Sequence, residues 1–137
     1  SSPITGTAEM PDGLGLYSAD YSTLNQNSRI VYYTKDNRLY ACNLDSWTET
    51  LQDEQPAAGE TVTYMEYLKY APYGQDSSWF DYLAIATSTA DGYKLYLHPV
   101  KAGKVMPAER VLTGKGRVRR ACFMSYGSYG TDKTTLF

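Results

Sequence analysis

His98 is the only histidine in the chain, and Cys42 and Cys122 are the only cysteines. A histidine that moves protons needs an acid or a nucleophile beside it, and one that holds a metal needs further ligands at short spacing. Neither pattern surrounds His98. It stands before Pro99 in a strand-like run, which marks a structural position. No C-x-x-C occurs, so zinc and thiol-exchange chemistry have no support in the sequence. The cysteine spacing fits two buried thiols better than a single disulfide or a nucleophile. A serine nucleophile would need a G-x-S-x-G elbow, which is absent. Gly13, Gly15, Gly114 and Gly116 are too sparse to cradle phosphate. Asp12, Asp20, Asp76 and Asp132 are scattered without a D-x-D-x-D-G calcium loop. No catalytic residue, metal site or cofactor is assigned on these grounds.

The residues best placed to bind a ligand are aromatic. Tyr70, Tyr73 and Trp79 in one block, and Tyr126 and Tyr129 in another, fall where a strand pattern gives way to a loop. Sugars offer C–H faces that lie on flat rings, and a phenol adds a hydrogen bond. The competing reading is that these rings pack one sheet on the next. The densest basic run, Gly114–Arg120, lacks interleaved aromatics. With 13 Lys+Arg against 15 Asp+Glu the net charge is -2, so nucleic acid is excluded as a partner. The run reads as a solvated strand edge, where charge discourages stray pairing.

The elements that must carry these residues are strands. The chain has 14 Tyr, 3 Phe and 2 Trp with a mean hydropathy of -0.46. It relies on rings with polar tips, which suit half-buried strands, and lacks the Leu, Ala and Glu wealth of a helical bundle. Arg29–Thr34, a turn at Lys35-Asp36-Asn37 and Arg38–Leu44 predict one hairpin. Tyr82–Thr87, Ala90-Asp91-Gly92 and Lys94–Val100 predict another. Weaker strands are expected near Thr48–Asp53 and Ala108–Thr113.

An internal period links these parts. Val62, Tyr67, Leu68, Tyr70, Tyr73 and Gly74 spell V-x4-Y-L-x-Y-x-x-Y-G, and Val118, Phe123, Met124, Tyr126, Tyr129 and Gly130 spell V-x4-F-M-x-Y-x-x-Y-G, 56 residues later. Arg38-Leu39-Tyr40 and Lys94-Leu95-Tyr96 share the same offset. Both V-x4 blocks are expected as strands, and Thr7–Met10 and Leu14–Tyr17 as a degenerate strand ahead of the first hairpin. One period then holds four short strands, the content of a β-propeller blade.

At 137 residues the chain suits a single all-β domain. Repeat one spans about 5–55, repeat two about 60–115, and a third opens at about 118–137. Propellers close with roughly four to eight blades, so an incomplete propeller is expected, with a small β-sandwich as the alternative. The first residues, Ser1-Ser2-Pro3, read as a trimmed start, and the stop at Phe137 falls where the next hairpin is due. No apolar run is long enough to insert in a membrane. Uncovered blade faces predict self-association.

The Val-led aromatic strand Val62–Tyr70, the Leu83–Thr87 strand and the Tyr93–Leu97 strand, with Ile30–Leu44 and Val118–Tyr126 behind them, resemble the propeller portion of gut-bacterial surface lipoproteins that carry a PKD-like module. The resembling positions cover under half the chain. They depart from WD repeats, lacking Gly-His and Trp-Asp, and from kelch repeats. The resemblance implies an extracytoplasmic, cell-surface or secreted parent with a binding or scaffold role. Its partners would be a glycan or another surface protein, and it carries over no catalytic residue. A glycan-active enzyme on a propeller scaffold, or a purely structural piece of one, are the alternative functions.

Overall fold

β-Branched and aromatic residues alternate with polar ones over most of the chain, and the backbone answers with antiparallel strands. In the computed structural model residues 11–70, 80–126 and 133–136 are described; the side chains of 70, 80, 124–126 and 133–136 are not. Strands β1 (Tyr21–Asn25), β2 (Ile30–Lys35), β3 (Arg38–Asn43) and β4 (Thr48–Leu51) pair in chain order as a first sheet. A second sheet holds β5 (Thr61–Tyr70), β6 (Phe80–Thr89), β7 (Gly92–Lys101) and β9 (Arg110–Gly114), again in chain order. Strand β8 (Lys104–Val105) is a two-residue return beside β7. β10 (Phe123–Tyr126) and β11 (Lys133–Leu136) pair as a third. The protein is all-β.

Both sequence hairpins form. Asp36 and Asn37 sit at φ 51° and 58°, the paired left-handed conformation that a two-residue hairpin turn demands and that Asp and Asn tolerate. Three expectations change. Leu14–Tyr17 is not strand: a short 3₁₀ turn, Gly15–Ser18, stands there, and the first strand is Tyr21–Asn25. Glu49 decides this, because its carboxylate accepts the N–H groups of Gly15 and Leu16 at 2.9 and 3.0 Å and draws that segment off the sheet ladder. The other half of that expected strand, Thr7–Met10, lies outside the described residues. The strand expected from Val118 begins only at Phe123, since Ala121 gives its N–H to the Tyr64 hydroxyl rather than to a ladder. The β7–β8 hairpin was not foreseen.

The first two sheets pack face to face. Tyr32, Leu39 and Ala41 from β2 and β3 meet Val62, Met65, Leu83 and Ile85 from β5 and β6, with Val105 of β8 beside them. A bulge between Val62 and Tyr64 keeps Val62 and Met65 on one face despite their odd spacing. The opposite face of the second sheet buries Leu68, Ala84, Ala86, Leu95 and Leu97 against Ala121 and Phe123. The second sheet is thus covered on both sides. The two sheets approach most closely where β1 lies along β5.

The linker from β4 to β5 is tied down by side chains that imitate strand pairing. Gln55 accepts the Leu39 N–H at 2.8 Å and donates to Leu39 O at 2.9 Å. Asn37 accepts the Val62 N–H and donates to Glu60 O, both at 2.8 Å.

Candidate functional site

The sequence-predicted aromatic set is only partly placed. Tyr70 is the last residue of β5, opposite Phe80, and Tyr126 is the last of β10, opposite Lys133. Their side chains, and all of Tyr73, Trp79 and Tyr129, lie outside the described residues. The described residues at the end of the sheets where β5 runs out do form a polar cluster. The Tyr67 hydroxyl donates to Asp81 Oδ2 across the β5–β6 pair and accepts from Asn25 Nδ2 at 2.9 Å. Lys69 Nζ lies 4.0 Å from the other Asp81 oxygen. The Tyr67 ring stacks on Tyr32 at 5.6 Å and 12°, and its N–H donates to Thr23 Oγ1 at 2.8 Å. A cavity of about 370 Å³ bordered by Asn27, Lys69, Asp81 and Val100 opens beside it.

Burial first, and the hydrogen bond to Asp81 second, push the Tyr67 phenol far above its ordinary pKa. It is therefore a fixed donor rather than a base. The Tyr32 phenol is likewise raised, to about 12, by burial and the Asp81 charge. The cluster offers a carboxylate and an ammonium beside an open cavity, held by a rigid ring stack. That is the chemistry of hydrogen-bonded recognition. Tyr67 and Tyr70 were visible in the V-x4 motif, whereas Asp81 and Asn25 had no signal, because only strand register brings them to Tyr67.

A second polar group lies between the sheets. Glu60, 7% exposed, accepts Tyr96 OH at 2.6 Å and Thr87 Oγ1 at 2.9 Å, and its other oxygen is 3.2 Å from Lys94 Nζ. Burial raises its carboxyl pKa, but the bonds from Tyr96, Thr87 and Lys94 outweigh that and hold it below the ordinary range. His98, 8% exposed, stacks on Tyr96 and directs Nδ1 at Met106 O, 2.8 Å away. A carbonyl can only accept, so the ring proton sits on Nδ1. Burial lowers its pKa more than the Met106 bond and Glu54 raise it.

Cys42 and Cys122 are free thiols, the first buried. Among the described residues no three of His, Cys, Asp and Glu converge on a metal position, and no helix is long and apolar enough to cross a membrane. Arg117, Arg119 and Arg120 are exposed. Comparison with protein-family models, with curated proteins and with solved structures found no match for this chain.

Proposed function

We propose that the chain is a non-catalytic binding module built from β-propeller blades, belonging to a secreted or cell-surface protein, and that its ligand is a glycan. The observation that carries the propeller reading is the second sheet, which buries a hydrophobic cluster on each of its two faces. In a two-sheet sandwich each sheet buries one face and wets the other. A blade buries both. Residues 56 apart support the repeat: Leu39 faces the sheet that follows it, and so does Leu95. Tyr40 and Tyr96 both point the opposite way, as do Cys42 and His98.

The Asn25–Tyr67–Asp81–Lys69 cluster supports binding at the sheet end, where loops of a propeller meet their ligands. The ring set Tyr70, Tyr73, Trp79, Tyr126 and Tyr129, which the sequence pattern puts where strand gives way to loop, would supply the stacking faces. The test is a polysaccharide panel titrated against tryptophan fluorescence, with Trp79→Phe to assign the signal and Asp81→Asn to weaken binding about tenfold, the worth of one charge-assisted hydrogen bond. Silence from every polysaccharide overturns the glycan assignment.

One observation favours a structural reading beside it. Leu24 and Leu51, each 44% exposed, lie on the face of the first sheet turned away from the second. As an interior blade surface, that face would self-associate when uncovered. Sedimentation of the wild type against Leu24→Glu/Leu51→Glu tests it: concentration-dependent dimers abolished by the pair support the scaffold role, and a monomer at all concentrations ends it.

A further inference from the structure

Outward from the β1–β5 contact the two sheets leave a wedge, and the β7–β8 hairpin enters it. Val105 is 1% exposed and gives its N–H to Gln52 Oε1 at 3.1 Å, and the Tyr32 hydroxyl donates to Gly103 O at 2.8 Å. The hairpin reaches this depth because residue 103 is glycine: φ is +80°, and a Cβ there would come within 2.9 Å of Ile30 Cδ1. Beyond the hairpin a cleft of about 530 Å³ remains, between β3–β4 on one side and Ala102–Lys104 on the other.

The lining of this cleft mixes apolar and hydroxyl-bearing side chains. Its apolar floor is Ile30, Ala41 and Gly103. Its wall is β4, where Thr48 and Thr50 pair with Asn43 and Ala41 and share their face. Thus β4 turns two solvent-exposed hydroxyls to the same face as Ala41, beside the cleft. Neither hydroxyl has a hydrogen-bond partner among the described residues. Asn43 Oδ1 is engaged by the N–H groups of Asp45 and Ser46 at 2.8 and 3.1 Å, which leaves its Nδ2 to point elsewhere. At the mouth, Asp53 and Lys104 neutralise each other at 2.7 Å.

We propose that this cleft is a binding site for a neutral saccharide unit, a mono- or disaccharide. A pyranose has C–H faces that suit the Ile30–Ala41 floor. Its hydroxyls, each donor and acceptor, suit the Thr48, Thr50 and Asn43 groups. The volume lies in the range of small-molecule sites, and the internally paired charges at the mouth leave no net charge to recruit an ionic ligand. The proposal shares with the preceding reading only the class of ligand and uses none of its residues.

Saturation-transfer NMR and calorimetry with glucose, galactose, mannose, N-acetylglucosamine, cellobiose and lactose would test it on three proteins: wild type, Thr48→Val/Thr50→Val, and Asp81→Asn. Both threonines are exposed, and valine is a good strand former, so the double variant should fold, as far-UV circular dichroism would verify. The expected result is binding of at least one sugar by wild type, Kd raised tenfold or more in the double threonine variant and unchanged within twofold in Asp81→Asn. Shifts of the Ile30 and Ala41 amides on titration would report the same site. Binding lost in Asp81→Asn but kept in the threonine variant overturns the cleft and leaves the sheet-end reading standing. Loss in both variants, or no binding by any sugar, overturns the cleft as well.

Discussion

Thr34 is 1% exposed, and its Oγ1 is buried without a hydrogen-bond partner. A buried hydroxyl that has given up water for nothing costs about 1–3 kcal/mol. Thr34→Val keeps the shape and removes that cost, so chemical denaturation should show the variant more stable by about 1 kcal/mol. The titratable residues make the pH profile a second check. His98 has a folded pKa below its ordinary 6.5. The unfolded chain therefore takes up a proton first as pH falls below that value, and stability drops. Glu49 and Glu60, both held below 4.5, add a further loss under that pH. At the other extreme the tyrosines act. Tyr32 and Tyr96 are raised from 10.0 to about 12, so their share of stability is present below pH 10 and lost above it. Melting temperature against pH should show a plateau with both shoulders, and His98→Gln should remove the upper step of the acid shoulder.

At the scale of strands, Leu39 on β3 and Leu95 on β7 are 1% and 5% exposed in two separate clusters. If the two sheets repeat one design, the same truncation should hurt alike. Leu39→Ala and Leu95→Ala should each cost about 2–5 kcal/mol, measured by urea unfolding, with the pair of losses similar. The hairpins were legible because Asp-Asn and Asp-Gly turns flanked by alternating residues have few other uses. The 3₁₀ turn at Gly15–Ser18 was not, because its cause is Glu49, more than thirty residues away. The β7–β8 hairpin was equally hidden, since Ala102 and Gly103 look like an ordinary loop until Ile30 and Tyr32 give them a wedge to fill.

Across the whole molecule the two sheets are joined by side chains as well as by their shared core. Gln55 clamps the Leu39 backbone, Gln52 takes the Val105 N–H, and Asn37 ties the start of β5 to the first hairpin. Such cross-links, with the core between the sheets, should make them unfold together. Trp47 lies in the turn that joins β3 to β4 of the first sheet, so its fluorescence and far-UV circular dichroism should give coincident urea transitions. Gln55→Ala should shift both by about 1–2 kcal/mol without separating them. Two separate transitions would show that each sheet is a stability unit of its own.

The residue pattern alone was enough to decide that the chain makes antiparallel strands and where its two main hairpins turn. These follow from local rules of period and turn chemistry that act over a few residues. Tertiary structure decided which groups meet: Tyr67 with Asp81 and Asn25, Glu60 with Tyr96, Thr87 and Lys94, and two threonines of β4 facing a cleft. Each depends on strand register and on the angle at which one sheet lies upon the next. A one-residue slip would turn every such side chain to the other face, and no stretch of sequence states that register by itself.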